Sequence, residues 1–174
     1  MKVCGFCGAS GVGKTTLIEG VLRELKAAGL RVSVVKHAGH GFEIDVPGKD
    51  SWRLRQAGAF ETLIASKHRL AKIREFEVEG EPTVHQMLAE LTEVDWALVE
   101  GFKHADLLRI ELWREQGDRA PQYVDDPFVI AIATDTPQAL PVPTSRPVFS
   151  LTDAAGVAAH LLASGERHHY AYHG

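Results

Sequence analysis

Short apolar runs alternate along this chain with stretches whose apolar residues recur at helical spacing, the pattern of strands exchanging with helices. Lys2 to Phe6 reads as a buried strand. Leu17, Ile18, Val21, Leu22 and Leu25 then share one face of a helix that runs to about Ala28 and turns at Gly29. Arg31 to Lys36 predicts a second strand, with Val32, Val34 and Val35 β-branched and buried. His37 to Asp50 is polar and has no core pattern of its own. Ser51 to Gln56 predicts a short helix, capped by Asp50 or Ser51 and stopped at Gly58. Glu61 to Ala65 and Leu70 to Phe76 predict a strand pair around the basic turn Ser66 to Arg69. After Glu79-Gly80-Glu81-Pro82, a helix from Thr83 to Leu91 sets Val84, Met87, Leu88 and Leu91 on one face. Asp95 to Gly101 is an almost continuously apolar strand, Leu107 to Trp113 alternates as another, and Phe128 to Ala133 is a further buried one. A Pro-rich loop, Pro137 to Pro147, leads to a short strand and a closing helix over about Asp153 to Ala163.

Buried strands alternating with helices predict an α/β fold: a single three-layer domain with a mostly parallel sheet flanked by helices. Residues 1–165 are expected to form it. Residues 166–174, which hold three histidines, are expected to be a flexible tail. The length of 174 residues is enough for such a core, and the 45% apolar and 24% charged fractions are those of a soluble globular protein. A net charge of −4 without a basic stripe argues against a general nucleic-acid or membrane-surface binder. No apolar run approaches membrane-spanning length. No cleaved leader is expected, because losing the first apolar stretch would destroy the glycine-rich segment after it, and the cytoplasm is the expected compartment. Cys4 and Cys7 have C-x-x-C spacing, but side chains three apart on a strand face opposite ways, so they read as two small buried hydrophobes.

The glycine-rich segment carries the chemistry. Gly8-Ala9-Ser10-Gly11-Val12-Gly13-Lys14-Thr15 matches the phosphate-loop pattern G-x-x-x-x-G-K-[ST] in full, between a strand and a helix. That order places bare backbone N–H groups at a helix amino terminus, a nest for a polyphosphate. Lys14 is positioned to reach β/γ-phosphates and Thr15 to complete a Mg2+ shell.

In an open parallel sheet, ligands bind at the carboxyl ends of strands, and three other segments end there. Glu100 closes an apolar strand where a phosphate-loop protein keeps its metal carboxylate. The loop His37 to Ser51 is long for a compact domain and holds His37, His40, Asp45, Lys49 and Asp50. Its composition suits a switch ordered by a γ-phosphate and metal, with Asp45 the candidate second carboxylate near Mg2+ or the attacking water. A zinc site from His37, His40 and a carboxylate is the weaker alternative, and a mobile surface loop the plain one. Asp135, after a late strand, is the candidate guanine reader, since a carboxylate can accept from both N1–H and N2–H2; it equally suits a turn. Trp52 and Trp113 read as ordinary half-buried aromatics without function.

Across almost all of its length the chain resembles the molybdopterin-guanine dinucleotide biosynthesis protein B family. The resemblance is carried by Val35-Lys36-His37, Asp45-Val46-Pro47-Gly48-Lys49-Asp50-Ser51, Gln56-Ala57-Gly58-Ala59, Val99-Glu100-Gly101-Phe102-Lys103 and Ala133-Thr134-Asp135. It implies a GTP-binding accessory protein with weak intrinsic GTPase activity in molybdenum cofactor maturation. The implied partner is the guanylyltransferase that joins GMP to molybdopterin; a homodimer is implied as well, with molybdopterin itself a candidate ligand. Carried over by position, Gly11, Gly13, Lys14, Thr15 and Thr16 hold phosphate and Mg2+, Asp45 and Glu100 lie near the metal, and Asp135 lies near guanine. One departure is visible: Gly39 stands where a second histidine often precedes the equivalent of His40, so no paired-histidine role is carried over. Two other functions use the same loop. An ATP-dependent small-molecule kinase or ligase would line an acceptor pocket with Lys49, Lys103 and His104. A metal-delivery GTPase would use His37 and His40 as transient ligands.

Overall fold

The computed structural model describes residues 1–39, 41–42, 44–115 and 120–171. In chain order the elements are β1 (Lys2–Gly8), α1 (Lys14–Ala27), β2 (Val32–Lys36), α2 (Asp50–Gln56), β3 (Glu61–Ala65), β4 (Leu70–Arg74), α3 (Val84–Ala89), β5 (Trp96–Glu100), β6 (Arg109–Trp113), β7 (Val129–Thr134), β8 (Val148–Ser150) and α4 (Ala154–Ala163). The chain divides into two compact units, Met1–His37 with Thr83–Gly174, and Ala38–Pro82.

The larger unit is built on a six-stranded sheet in the order β2-β5-β1-β6-β7-β8, with every neighbouring pair parallel. Alternation along the strands sorts the core into two faces. Cys4 and Phe6 of β1, Trp96 and Leu98 of β5, and Ile110 and Leu112 of β6 pack under α1 and α4. Val3, Ala97 and Val99 point the other way, against α3 and the crossover that carries Leu107. Farther along that second face, Cys7, Trp113, Tyr123, Val129 and Ile132 form their own cluster. The expected mostly parallel sheet flanked by helices is therefore the observed one. Cys4 and Cys7 are free, buried and on opposite faces. Burial pushes both thiols up, Cys7 to about 12, which leaves them unreactive at neutral pH.

Three local expectations need correction. Val34 is 42% exposed, because β2 is an edge strand with one flank unpaired. The helix α2 starts one residue early: Lys49 is its N-cap, with no side-chain cap, and Asp50 lies inside the first turn. The closing segment is ordered as far as Tyr170. Gly165–His168 forms a single 3-10 turn, His169 bridges to Lys2, and the Tyr170 amide donates to the Met1 carbonyl at 3.0 Å. Burial explains it, since His168 inserts beside Trp96, their ring centroids 5.1 Å apart. Tyr172–Gly174 lie outside the described residues.

The smaller unit holds α2 and the antiparallel pair β3–β4, in register from Glu61↔Arg74 to Ala65↔Leu70. The Ser66 hydroxyl stabilises the turn by accepting from the His68 and Arg69 amides at 3.3 and 3.1 Å.

His168 makes folding sensitive to acid. Its Nδ1–H donates to the Val3 carbonyl at 3.0 Å, a bond that by itself favours the charged ring, but burial outweighs it. Burial holds its pKa below the ordinary histidine range, and the charges of His160, Arg167 and Lys2 act in the same sense. A base whose folded pKa is depressed contributes stability that is full above its unfolded pKa and lost as pH falls toward the folded one. The melting temperature should therefore drop between about pH 7.5 and about pH 5.5. In a His168→Asn protein the drop should be smaller, which calorimetric melts across that range will check.

Candidate functional site

The carboxyl edge of the large sheet is set by register. Phe6 of β1 and Lys36 of β2 both stand abreast of Glu100 of β5. The loop that leaves β1 and the carboxylate that ends β5 therefore emerge side by side. Gly8 begins that loop at φ 137°, and a Cβ there would sit 2.2 Å from the Leu112 carbonyl oxygen on β6, so only glycine fits. Gly13 ends it in the left-handed region (φ 109°, ψ 16°) as the N-cap of α1.

The start of α1 is unlike that of its neighbours. The helices α3 and α4 are capped by Thr83 and Asp153, and α2 carries Asp50 in its first turn. Among the four, α1 alone has neither a side-chain cap nor an acidic first turn. Its leading N–H groups, the positive end of the helix dipole, are left to an external acceptor. Lys14 arcs back over the loop, and its Nζ donates to the Gly8 and Ala9 carbonyls at 3.1 and 2.8 Å. Among the described residues no carboxylate pairs with it. Ser10, Gly11, Thr15 and Thr16 are exposed, whereas Val12 is buried in the core below and contributes backbone only.

Thr15 Oγ1 donates to the Glu100 carboxylate, with both oxygens in reach at 3.1 and 3.0 Å, and Lys36 Nζ lies 3.3 Å from the same group. Glu100 is mostly buried at the strand end, and the His37 amide donates to its carbonyl at 2.9 Å. A hydroxyl and a carboxylate in contact beside a bare helix terminus are oxygen donors of the kind a hard divalent cation takes. The site thus fits a polyphosphate with its metal.

Asp135 follows β7 at the same edge, two strands from β1, half-exposed, with Arg114 Nε 3.4 Å from its Oδ2. It does not join the Thr15–Glu100 cluster. Asp45 belongs to the smaller unit. There it accepts from the Val46 amide at 2.9 Å, the Ser51 hydroxyl at 2.9 Å and Arg55 Nε at 3.2 Å. Desolvation works to raise its pKa, yet the hydrogen bonds from Ser51, Val46 and Arg55 outweigh it and hold the carboxyl below the ordinary range. Arg55 is also bonded to Glu75. His37 packs its ring 4.9 Å from Phe102, and His40 lies outside the described residues. Among the described residues no group of three or more His, Cys, Asp or Glu side chains is placed to hold a metal ion by itself.

A family model described as MobB, Molybdopterin guanine dinucleotide synthesis protein B, matches residues 3–135. The chain belongs to this family. It is 38% identical over 161 residues to the molybdopterin-guanine dinucleotide biosynthesis adapter protein of Escherichia coli (strain K12), spanning 91% of this chain and 90% of that protein. The adapter protein of the same description from Haemophilus influenzae is 39% identical over 140 residues, covering 79% and 76% of the two chains. Among solved structures, the crystal structure of Bacillus subtilis MobB superposes with a TM-score of 0.70 at 28% identity, covering 94% of this chain and 97% of that one.

Within the MobB frame, Thr15 of the glycine-rich loop and Glu100 are in contact, and Asp135 lies at the same edge without touching them. Sequence reasoning missed Lys36 as a partner of Glu100. Its signal was its position, the last residue of a strand that pairs directly with β5. It also missed Arg109 and Glu111, which lie in an alternating strand and look solvated. Both are buried in the central strand β6, Arg109 against the Lys103 and Ala105 carbonyls and Glu111 against the Gln122 and Tyr123 amides.

Proposed function

We propose that this chain is a guanine-nucleotide-binding adapter with slow GTPase activity, acting in the cytoplasm in molybdopterin guanine dinucleotide biosynthesis. The observation that carries the reading is the bare α1 terminus, joined to a Lys14 that pairs with no carboxylate among the described residues and the Thr15–Glu100 contact. The amides from Gly11 to Thr16 and the Lys14 ammonium would hold the phosphates, while Thr15 and Glu100 would hold Mg2+. Bound there, the ion supplies neutralisation of the charge on the β- and γ-phosphates. Asp135 is assigned to the guanine edge. For Asp45 to approach the metal or a water, it must first give up Ser51 and Arg55. The nucleotide state would govern docking on the guanylyltransferase that joins GMP to molybdopterin, in keeping with relatives named adapter proteins. No helix among the described residues is long and apolar enough to cross a membrane.

The same reading includes a homodimer, supported by the smaller unit. A two-stranded ribbon is marginal alone in water. This one exposes Leu63 at 64% and Leu70 at 68%, with Val78 at 81% just beyond it. Apolar side chains in such number on one hairpin mark an interaction surface, and pairing with a second copy would cover them.

Titration with fluorescent GTP and ATP analogues, with and without Mg2+, tests the nucleotide assignment. GTP should bind more tightly, and Glu100→Gln should abolish the Mg2+ dependence while leaving metal-free affinity intact. Unchanged Mg2+ dependence would remove Glu100 from the site. Asp135→Ala should shrink the GTP/ATP affinity ratio by about 5- to 150-fold, the span of one bidentate base-edge contact. Hydrolysis should be slow for the isolated chain and respond to the guanylyltransferase with molybdopterin; fast ATP consumption driven by a small acceptor would select the kinase reading instead. Sedimentation equilibrium should show a dimer that Leu63→Lys with Leu70→Lys converts to monomer, and a wild-type monomer at all concentrations would refute the pairing.

A further inference from the structure

Strand alternation decides which way Lys36 points. Trp96 and Leu98 of β5 pack under α1, and Glu100, two residues on, continues that face. The parallel register sets Val32, Val34 and Lys36 of β2 abreast of Trp96, Leu98 and Glu100. Lys36 therefore projects on the α1 side, where its Nζ lies 3.3 Å from Glu100 Oε2. The next residue, His37, turns the other way, its ring beside Phe102 of the opposite cluster.

Two groups thus meet at the Glu100 carboxylate. Thr15 Oγ1 brings a hydroxyl, and Lys36 brings the counter-charge. Among the described residues Lys36 is the one cation within ion-pair distance of Glu100, since Lys14 is turned to the Gly8 and Ala9 carbonyls. The two partners are unequally covered: the Glu100 side chain is 12% exposed and that of Lys36 56%. A carboxylate so covered needs an opposite charge near it. The ammonium that supplies one rides on a flexible four-carbon stem, at the end of an edge strand, and can leave for solvent at little cost. A hard divalent cation takes the same carboxylate and hydroxyl oxygens and repels an ammonium beside them.

We propose that Lys36 is a positioning residue for the metal site: a counter-cation that holds the Glu100 carboxylate against Thr15 and gives way when a divalent ion takes that carboxylate. Ion binding is then an exchange, in which the ammonium leaves as the ion enters, and Lys36 sets how tightly the ion is held. That the ion is Mg2+ beside a nucleotide rests on the reading above, whereas the contact of ammonium, carboxylate and hydroxyl does not. A lysine at this edge that served as a phosphate ligand would behave in the opposite way. Its removal would weaken the anion and leave the ion's affinity unchanged.

Mn2+ is the probe, titrated by electron spin resonance without nucleotide against the wild-type chain, Lys36→Met, Lys36→Arg, Glu100→Gln and the Lys36→Met/Glu100→Gln double variant. Lys36→Met should bind Mn2+ about threefold more tightly than wild type, the span of a half-exposed ion pair. Lys36→Arg should return the wild-type value. A merely structural role would loosen the site in Lys36→Met rather than tighten it. In the Glu100→Gln background the Lys36 substitution should bring no gain, because its action passes through the carboxylate. A fluorescent GTP analogue titrated in EDTA reads the anion side, where Lys36→Met should stay within about twofold of wild type. Equal or weaker Mn2+ binding in Lys36→Met overturns the proposal, as does a gain that persists in Glu100→Gln. So does a loss of about tenfold in metal-free analogue affinity, or no Mn2+ binding by either protein at about 1 mM. Failure of the analogue to bind the wild type, with or without Mg2+, would instead overturn the nucleotide reading alone and leave the Mn2+ titrations to decide the exchange.

Discussion

Parallel pairing of β1 with β5 is the constraint on which the site depends. The pair brings Phe6 level with Glu100, so the chain leaves β1 for its glycine loop beside the residue that ends β5. A slip of one residue would turn Glu100 to the other face and break its contact with Thr15. That slip is opposed along the whole strand, because it would also exchange Trp96 and Leu98 for Ala97 and Val99 beneath α1. The same apolar alternation that stabilises the sheet thus fixes the position of a polar cluster at its edge. Glu100 costs something to hold there, being mostly buried, and Thr15 and Lys36 offset that cost with a hydroxyl and an ammonium.

The other face of the sheet follows a different logic. Among the described residues, α3 covers one side of it, and irregular chain lies beside it, the crossover through Lys103 to Leu107 and the turn at Gln122–Val124. Irregular chain has backbone groups that no ladder satisfies, and burying them needs side-chain partners. Arg109 and Glu111 meet that need from β6. Desolvation raises the Glu111 pKa, against the pull of its two amide donors, so the carboxylate is tolerated for the turn it holds rather than favoured by its surroundings. Two charges in the interior are therefore accounted for by architecture.

How much of this was legible in the chain depends on whether the signal was local. The phosphate loop was legible because its glycines, lysine and threonine answer to backbone geometry within eight residues. The opposed faces of Cys4 and Cys7 followed from strand alternation alone. Strand order was not written locally. Val34 looks buried until β2 is known to lie at the edge, and Arg109 looks solvated until β6 is known to be central. The closing segment failed for the same reason, since His168 finds its place against Val3 and Trp96, from the far end of the chain. Asp135 was legible as a residue at the ligand edge, but its pairing with Arg114 depends on β6 and β7 being neighbours.

Under the proposed function, Asp45 bears on the rate of nucleotide hydrolysis. A general base for water attack works best with a pKa brought up toward the operating pH. The hydrogen bonds of Ser51, Val46 and Arg55 move Asp45 the other way. A carboxylate so held is a weak proton acceptor and a good anchor or ligand. Arg55 is committed in turn to Asp45 and Glu75, so it is not free to meet charge developing on a phosphate. Neither of the groups that accelerate phosphoryl transfer, a tuned base and a supplied arginine, comes from this pair. Under the proposed reading, the isolated chain would bind nucleotide firmly and turn it over slowly. Faster turnover would then need a residue from a partner, or release of Asp45 from its own unit.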